Sequence, residues 1–141
     1  MVYADTSALV ALFAREPRGT AVAQWLDAHP REDYRICDWT VTEMASALAI
    51  KVRRDELTPA HLARVWQTFN DACGSVLRVE PVTGDDFANA ATLCLEPGTG
   101  LRAGDALHLA VALRVSCDSL LSFDALLSRN AQACGLAVIA P

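Results

Sequence analysis

Val2-Tyr3-Ala4-Asp5-Thr6-Ser7-Ala8-Leu9-Val10-Ala11-Leu12-Phe13 opens the chain, and the interpretation of the other segments starts from it. Three residues suited to a buried strand lead directly into an acid, which is followed by Thr-Ser and an apolar helical pattern. Because no loop intervenes, the pattern predicts that Asp5 ends a first strand and begins a first helix. Ligands bind at that edge of open α/β sheets, so Asp5 is either a helix cap or the first residue of a site.

The rest of the chain repeats this alternation of strand and helix, which predicts an α/β fold with a parallel, doubly wound sheet. The 141 residues suffice for a hydrophobic core, so residues 1–141 are expected to form a single domain. The predicted strands are Met1–Ala4, Tyr34–Cys37, Val76–Val82, Ser119–Phe123 and Leu136–Ile139. The predicted helices are Thr6–Ala14, Thr20–Ala28, Thr40 to about Arg54, Pro59–Gly74 after a Thr58 cap, Thr83 or Gly84 to Leu95, Ala103–Arg114 and Asp124–Ala133.

Composition narrows the classes of function. Hydrophobic residues make up 52% of the chain and charged residues 21%, which argues against disorder. The formal net charge of -5 argues against a passive nucleic-acid-binding protein, because such proteins are usually basic. An acidic protein still binds a nucleic acid when metal ions supply the local positive charge.

Cysteine usage and hydropathy favour a cytoplasmic protein. The longest strongly apolar run, residues 103–115, contains Asp105, His108 and Arg114, so no membrane-spanning segment is expected. A signal peptide is not expected either, because the N-terminal segment lacks basic residues and contains Asp5. The cysteines are an odd set without a C-x-x-C pair and are expected to be reduced core thiols: Cys37, Cys73, Cys94, Cys117 and Cys134.

Four carboxylates stand where predicted strands end or predicted helices begin: Asp5, Glu43, Asp105 and Asp124. Each alone fits a structural role. Asp5 and Asp124 suit helix N-caps, and Thr40 with Glu43 fits a capping box. Acids in a first helical turn also interact favourably with the helix dipole.

The surroundings of these acids favour a site instead. Asp105 is the only acid in a helix that is apolar nearly all round, and burying a lone carboxylate costs several kcal/mol unless it is paired or metal-bound. Glu43 is likewise the only acid between Asp38 and Asp55. If the four helices begin at one sheet edge, the carboxylates converge, and two of them about 4 Å apart repel by roughly 4 kcal/mol.

Divalent cations remove that repulsion, and a cluster of carboxylates without His or Cys ligands indicates Mg²⁺ or Mn²⁺ rather than Zn²⁺. Such a site suits phosphodiester hydrolysis, because bound metal ions activate a water and stabilise the attacking and leaving oxygens. The acidic chain would then meet a polyanionic substrate through its metal ions.

Four motifs in order along the chain resemble those of PIN-domain ribonucleases, and their length and order are most similar to the VapC-type toxins of bacterial toxin–antitoxin pairs. The resemblance covers essentially the whole chain, and its D-A-L-H-L-A stretch is the most specific part. The motifs are Asp5-Thr6-Ser7-Ala8-Leu9, Thr42-Glu43-Met44, the stretch from Leu101 to Ala110, and Leu121-Ser122-Phe123-Asp124.

The resemblance implies a PIN-like three-layer sandwich, in which helices flank a five-stranded parallel sheet. It implies Mg²⁺- or Mn²⁺-dependent endonucleolytic cleavage of RNA, inhibition by a cognate antitoxin protein whose C-terminal segment blocks the acidic pocket, and a homodimer. The family's catalytic, metal-binding acids correspond to Asp5, Glu43, Asp105 and Asp124, and its supporting hydroxyls to Thr6 or Ser7 and to Ser122. Asp124 is a second-metal ligand, a more distant group or only a cap.

The chain departs from the family pattern at two points. Gly104 precedes the third acid where a bulkier residue is common, and the segment after Asp124 is less charged than usual. The second departure bears on how RNA is contacted there.

Other notable residues have structural interpretations. His108 is expected to pack near the site rather than act as a base, because a metal-activated water needs no histidine. The helix with Leu62, Val65, Trp66 and Phe69 fits either a homodimer face or core packing. Arg15 and Arg102 fit contacts to RNA or antitoxin, or solvated surface. The three tryptophans are expected to pack rather than stack on bases: Trp25, Trp39 and Trp66.

Competing functions explain the acids less well. Haloacid-dehalogenase-like phosphatases need a second Asp two residues after the first, where this chain has Ser7. Phospho-acceptor receiver domains need paired acids after the first strand, and Asp5 stands alone. A non-catalytic PIN scaffold that binds RNA or protein would be expected to lose ligands, and all four acids are present here.

Overall fold

The computed structural model describes residues 1–141, which form five strands and seven helices in alternation. The strands are β1 (Val2–Ala4), β2 (Tyr34–Cys37), β3 (Leu77–Glu80), β4 (Ser119–Leu121) and β5 (Ala137–Ile139). The helices are α1 (Thr6–Phe13), α2 (Gly19–Ala28), α3 (Asp38–Arg53), α4 (Pro59–Cys73), α5 (Gly84–Leu95), α6 (Ala103–Arg114) and α7 (Ala125–Ala133).

The strands form one parallel sheet in the order β3-β2-β1-β4-β5, so β1 lies at the centre. The chain builds outward from β1 on one side and then returns to β4 on the other, which makes the β1–β4 junction the point where strand order reverses. Ala4 pairs with Leu121 at the carboxyl end of that junction. The residues after these two, Asp5 and Ser122, are therefore neighbours at the edge where open α/β sheets bind ligands.

Helices cover both faces of the sheet and enclose two hydrophobic clusters. Val2 and Ala4 face one cluster and Tyr3 faces the other, as the alternation of side chains along a strand requires. Helix α6 supplies much of the second cluster, and every residue of 106–112 is buried. This confirms the predicted α/β fold with a parallel, five-stranded sheet between helical layers.

Four of the five strands are shorter than predicted, and the backbone explains the two largest differences. The prediction Val76–Val82 overruns β3 because Pro81 has no N–H for the sheet, and Val82 donates its own N–H to Asp38 Oδ2 at 3.1 Å. The prediction Ser119–Phe123 overruns β4 because Phe123 donates its N–H to Ser7 Oγ at 2.9 Å.

The predicted capping box of Thr40 and Glu43 is wrong. Helix α3 begins at Asp38, Cys37 is its N-cap, and Thr40 at the third helical position accepts a hydrogen bond from the Cys37 N–H at 3.2 Å. The aromatic and polar residues 38–40 hid this start, because they interrupt the apolar periodicity that begins at Val41. Glu43 therefore lies in the second turn of α3, where no backbone N–H requires its carboxylate.

All five cysteines are free, as expected, but not all are core thiols. Cys37 and Cys117 are buried and Cys73 is half-buried, whereas Cys94 and Cys134 are exposed. Cys94 is the second-last residue of α5, and Cys134 is the C-cap of α7. None of the seven helices combines the length and apolar character that crossing a membrane requires.

Core packing accounts for the apolar pattern of α4. Val65 and Phe69 are buried in the first hydrophobic cluster, and Leu62 and Trp66 pack against it. Trp25 packs against the same cluster, but Trp39 does not and remains 37% exposed.

Candidate functional site

A cleft of about 310 Å³ opens at the carboxyl edge of the sheet, beside the β1–β4 junction. Its walls carry all four acids that the sequence singled out, each from a different element. Asp5 follows β1, Glu43 comes from α3, Asp105 from the first turn of α6, and Asp124 from the N-cap of α7. Thr6 and Ser7, two of the predicted supporting residues, line the same cleft.

Asp5 is 4% exposed, and its hydrogen bonds are concentrated on one oxygen. Asp5 Oδ2 accepts from the Ser7 N–H at 3.2 Å, from Ser7 Oγ at 2.5 Å and from Ser122 Oγ at 2.9 Å. Asp5 Oδ1 accepts no hydrogen bond, and its nearest cationic neighbour is His108 Nε2 at 3.8 Å. Capping of α1 through Oδ2 therefore leaves Oδ1 available to a cation.

The hydroxyls of Ser7 and Ser122 join the two turns that carry Asp5 and Asp124. Ser7 Oγ accepts the Phe123 N–H at 2.9 Å, and fully buried Ser122 accepts the Asp124 N–H at 3.0 Å. Each hydroxyl also donates to Asp5 Oδ2. The two serines therefore hold the Asp5 carboxylate in one orientation relative to β4 and α7.

Glu43 is half-buried and is held through Oε2. That oxygen accepts from Thr6 Oγ1 at 2.6 Å and lies 2.6 Å from His108 Nε2. Burial raises the pKa of the Glu43 carboxyl, but the contacts with His108 and Thr6 outweigh burial, so the pKa is lower than usual. Glu43 is therefore an anion at neutral pH.

His108 is 1% exposed and lies between Tyr3 and Glu43. The Tyr3 hydroxyl is 2.9 Å from its Nδ1, and its Nε2 contacts Glu43. Burial lowers the pKa of His108, but hydrogen bonds with Cys37 and Glu43 and the charge of Asp5 outweigh burial and raise it to about 10. The raised pKa favours the protonated imidazolium, whose positive charge lies beside Glu43 and Asp5.

The contact between Glu43 and His108 could not be read from the sequence, because 65 residues separate them. The only available indication was that His108 lies one helical turn after Asp105, on the same face of α6. Donor atoms of Asp5, Glu43 and His108 all lie within 4.8 Å of one another, so these three form the compact part of the site.

Asp105 and Asp124 form the outer part of the site, and Asp105 is half-buried, not fully buried as expected. Burial and the nearby charges of Asp124 and Asp5 raise the pKa of Asp105. Asp124 Oδ1 accepts the Leu127 N–H at 2.8 Å, which leaves its Oδ2 without a hydrogen bond. Asp124 therefore does act as a cap, and it also lines the cleft.

The donor set fits a hard divalent cation. Several carboxylate oxygens face a cleft that contains no Lys or Arg, and oxygen ligands are what Mg²⁺ and Mn²⁺ prefer. Burial is the main cause of the raised pKa of Asp105, and the negative charges of Asp124 and Asp5, which such a cation would offset, raise it further. Arg15 and Arg102 are exposed and form no ion pair within the chain, so their guanidinium groups are available to an external anion.

Comparisons with known proteins agree with this geometry. A family model described as PIN domain matches residues 2–133. Ribonuclease VapC35 of Mycobacterium tuberculosis is 33% identical to this chain over 148 residues, a match that covers 100% of this chain and 97% of the relative.

Solved structures agree with the fold. VapC20 of Mycobacterium tuberculosis, described as a sarcin-ricin loop cleaving toxin, superposes with a TM-score of 0.74 at 21% identity and covers 100% of both chains. VapBC2 of Rickettsia felis, solved bound to a DNA fragment from its promoter, gives a TM-score of 0.67 at 13% identity and covers 99% of this chain and 98% of its own.

Proposed function

The chain belongs to the PIN-domain family, and from this premise we propose that it is a metal-dependent endoribonuclease that acts as the toxin of a toxin–antitoxin pair. The observation that carries the proposal is the convergence of Asp5, Glu43, Asp105 and Asp124 on one cleft, in a chain whose curated relatives are named ribonucleases. We propose that residues 1–141 act as one nuclease domain.

We assign Asp5, Glu43 and Asp105 as the principal metal ligands, directly or through water, and Asp124 as the outermost member of the set. The free Oδ1 of Asp5 supports its place at the centre. When bound, a divalent cation lowers the pKa of a water and stabilises the charge that develops on the phosphodiester. Ser7 and Ser122 orient Asp5, and Thr6 and His108 orient Glu43.

The cation is Mg²⁺ or Mn²⁺ in this proposal. Both are hard cations that accept carboxylate and water ligands, and the half-open cleft leaves room for water. His108 is engaged by Tyr3 and Glu43, so the site lacks the free imidazole that would favour Zn²⁺.

The partners we propose are an RNA substrate and a cognate antitoxin protein whose C-terminal segment enters the acidic cleft. The structural neighbour VapBC2 supports an antitoxin partner. The resemblance to VapC-type toxins also favours a homodimer and a location in the cytoplasm. Sedimentation of the purified chain measures the oligomeric state.

The decisive experiment compares the wild-type protein with Asp5→Asn on structured RNA, with Mg²⁺ or Mn²⁺ and after removal of any co-purified inhibitor. Asn is as good an N-cap as Asp, so α1 should remain folded. Cleavage should fall by more than about 100-fold, beyond the usual loss from removing an outer partner of a metal ligand. Asp85→Asn, an exposed acid in α5, serves as the control and should cleave like the wild type.

Absence of metal-dependent cleavage by the wild type beyond that of Asp5→Asn would refute the nuclease proposal and favour a binding scaffold. A folded Asp5→Asn that loses only part of the metal-dependent cleavage would show that Asp5 is not an essential ligand and would leave capping as its role.

A further inference from the structure

We propose that Trp39 is a positioning residue that fixes the second carboxylate oxygen of Glu43, and that position 104 is glycine because this contact leaves no room for a side chain. The inference rests on the proposed nuclease function, because it gives both residues a task at the metal site. It concerns one contact between the beginnings of two helices, since Trp39 is the second residue of α3 and Gly104 the second of α6.

The known hydrogen bonds of Glu43 leave one of its oxygens unassigned. Oε2 is held by Thr6 and His108, each at 2.6 Å, and neither of them contacts Oε1. A carboxylate held at one oxygen still rotates about that oxygen. A second donor at Oε1 would stop that rotation and still leave a lone pair of Oε1 for a cation, and metal-binding carboxylates are commonly oriented by such outer hydrogen bonds.

The surroundings of Gly104 identify that partner. A Cβ at position 104 would lie 3.0 Å from Glu43 Oε1 and 3.0 Å from Trp39 Nε1. Both atoms therefore face the same small space against the α6 backbone. An indole N–H only donates and a carboxylate oxygen only accepts, so the two are complementary. The Trp39 contact also joins His108 and Thr6 in holding the pKa of Glu43 down against burial.

Space, and not backbone conformation, explains the glycine. Gly104 is helical and is not among the glycines with positive φ, so any residue could adopt its backbone angles. A contact of 3.0 Å is tighter than ordinary Cβ packing and is made with two polar atoms at once. A bulkier residue, common at this point in the family, would displace Glu43 Oε1 or the indole.

Packing alone does not account for Trp39. Its side chain is 37% exposed and borders an apolar recess of about 220 Å³, together with Phe87 of α5 and Leu107 of α6. Trp25 and Trp66, in contrast, pack against the core. Phe or Leu could also cover part of the recess at position 39. What tryptophan adds is an N–H group that can donate a hydrogen bond.

Nuclear magnetic resonance of the indole N–H groups tests the contact without an activity assay. The protein has three tryptophans, so a ¹H–¹⁵N spectrum gives three indole signals, and Trp39→Phe identifies one by its loss. Glu43→Gln should shift the Trp39 signal and leave those of Trp25 and Trp66 unchanged. An unmoved Trp39 signal would overturn the proposal.

Metal affinity tests the consequence of the contact. Trp39→Phe retains a ring but removes the donor, so Mn²⁺ affinity, measured by calorimetry, should fall by about 10-fold, and RNA cleavage should fall in kcat more than in KM. Phe87→Leu changes the other aromatic wall of the recess and should match the wild type in both. Equal loss in Phe87→Leu and Trp39→Phe would assign Trp39 to packing and overturn the proposal.

Gly104→Ala tests the same contact by adding a methyl group 3.0 Å from both Glu43 Oε1 and Trp39 Nε1. The added methyl should reduce Mn²⁺ affinity about as much as Trp39→Phe. The double variant should lose no more than the worse single variant, because both changes break one contact. Losses that multiply would indicate separate causes and overturn the proposal.

The inference and the proposed function fail in different ways. A wild-type protein that binds Mn²⁺ and shows the indole shift but cleaves no RNA would refute the nuclease and leave the Trp39 contact standing. A wild-type protein that cleaves RNA while Trp39→Phe equals it in Mn²⁺ affinity and rate would refute only the positioning role.

Discussion

At the scale of a single residue, the two oxygens of Asp5 have different surroundings. Oδ2 accepts the hydrogen bond that caps α1 and the hydroxyls of Ser7 and Ser122, and Oδ1 is left toward the cleft. Capping and metal binding, which the sequence presented as alternatives, are compatible in this geometry.

Removing one hydroxyl around Asp5 should weaken the site without unfolding the chain. We expect Ser122→Ala to lower RNA cleavage by about 10- to 100-fold, because Asp5 loses a partner that sets its orientation. Ser128→Ala, in the neighbouring helix α7, removes a hydroxyl that contacts no site residue and should retain full activity. Single-turnover cleavage assays measure both, and equal rates for Ser122→Ala and the wild type would contradict the role of Ser122.

Sequence reasoning found the acids because each follows a strand or begins near a helix start, and such positions are visible in the chain order. It did not find how Glu43 is held. The hydrogen-bond partners of Glu43 are Thr6 and His108, which lie 37 and 65 residues away in the sequence. Such contacts depend on how helices α3 and α6 approach each other, which no local pattern encodes.

At the scale of elements, a buried carboxylate connects the beginning of α5 to the end of α6. Asp86 is fully buried and completes a capping box with Thr83, whose N–H and hydroxyl both donate to Oδ2 at 2.8 Å. Arg114, the last residue of α6, donates from Nε to Asp86 Oδ1 at 2.7 Å. This contact fixes the helix that carries Asp105 and His108.

Replacing Asp86 should therefore destabilise the fold. We expect Asp86→Ala to lower the free energy of unfolding by about 2 to 4 kcal/mol, because it removes a cap and the partner of a charged hydrogen bond. Asp85→Asn, exposed in the same helical turn, should change it by less than about 0.5 kcal/mol. Urea unfolding at neutral pH measures both values, and similar values would contradict a structural role for Asp86.

The same carboxylate makes stability depend on pH in a known direction. Burial raises the pKa of Asp86, but Arg114 and Thr83 outweigh burial and lower it below its usual 3.8. A lowered folded pKa gives stability that is present above the unfolded pKa and is lost as the pH falls through the folded value. The difference between wild type and Asp86→Asn in urea unfolding should therefore shrink below about pH 4.

The predictions of elements were accurate where one signal dominated. Helix α6 was predicted residue for residue, because its apolar run is bounded by the Pro-Gly-Thr-Gly loop before it. The beginning of α3 was wrong by two residues, because its cap is Cys37 and its first turn carries Trp39 and Thr40. The capping contact is local, between Cys37 and Thr40, but cysteine is not among the residues that usually signal an N-cap.

At the scale of the whole molecule, a divalent cation should stabilise the folded chain, because it binds acids that only folding brings together. At a free concentration ten times its Kd, the cation adds about 1.4 kcal/mol, which corresponds to a rise in Tm of about 3 to 6 °C. Thermal unfolding with Mg²⁺ or Mn²⁺, reversed by chelator, measures this shift. Asp5→Asn should abolish the shift, and a shift of equal size in that variant would contradict the assigned site.

The overall architecture was predictable because alternation of strands and helices leaves few arrangements. Only the structure showed that β1 lies at the centre, between β2 and β4, and that two hydrophobic clusters fill the two faces. The net charge of -5 gives no information about the fold. Its local distribution does matter, because four of the acids line the cleft and neither Lys nor Arg does.

The pairing of Ala4 with Leu121 also means that the site can assemble only late in synthesis of the chain. Asp5 and Ser122 are 117 residues apart, and at about 5–20 residues per second a ribosome needs roughly 6 to 23 s to travel between them. During that interval the nascent chain lacks Ser122, Asp124 and the strand that seats them beside Asp5. If the chain is the nuclease proposed, its site cannot assemble during that interval, because Asp124 reaches Asp5 only when β4 pairs with β1.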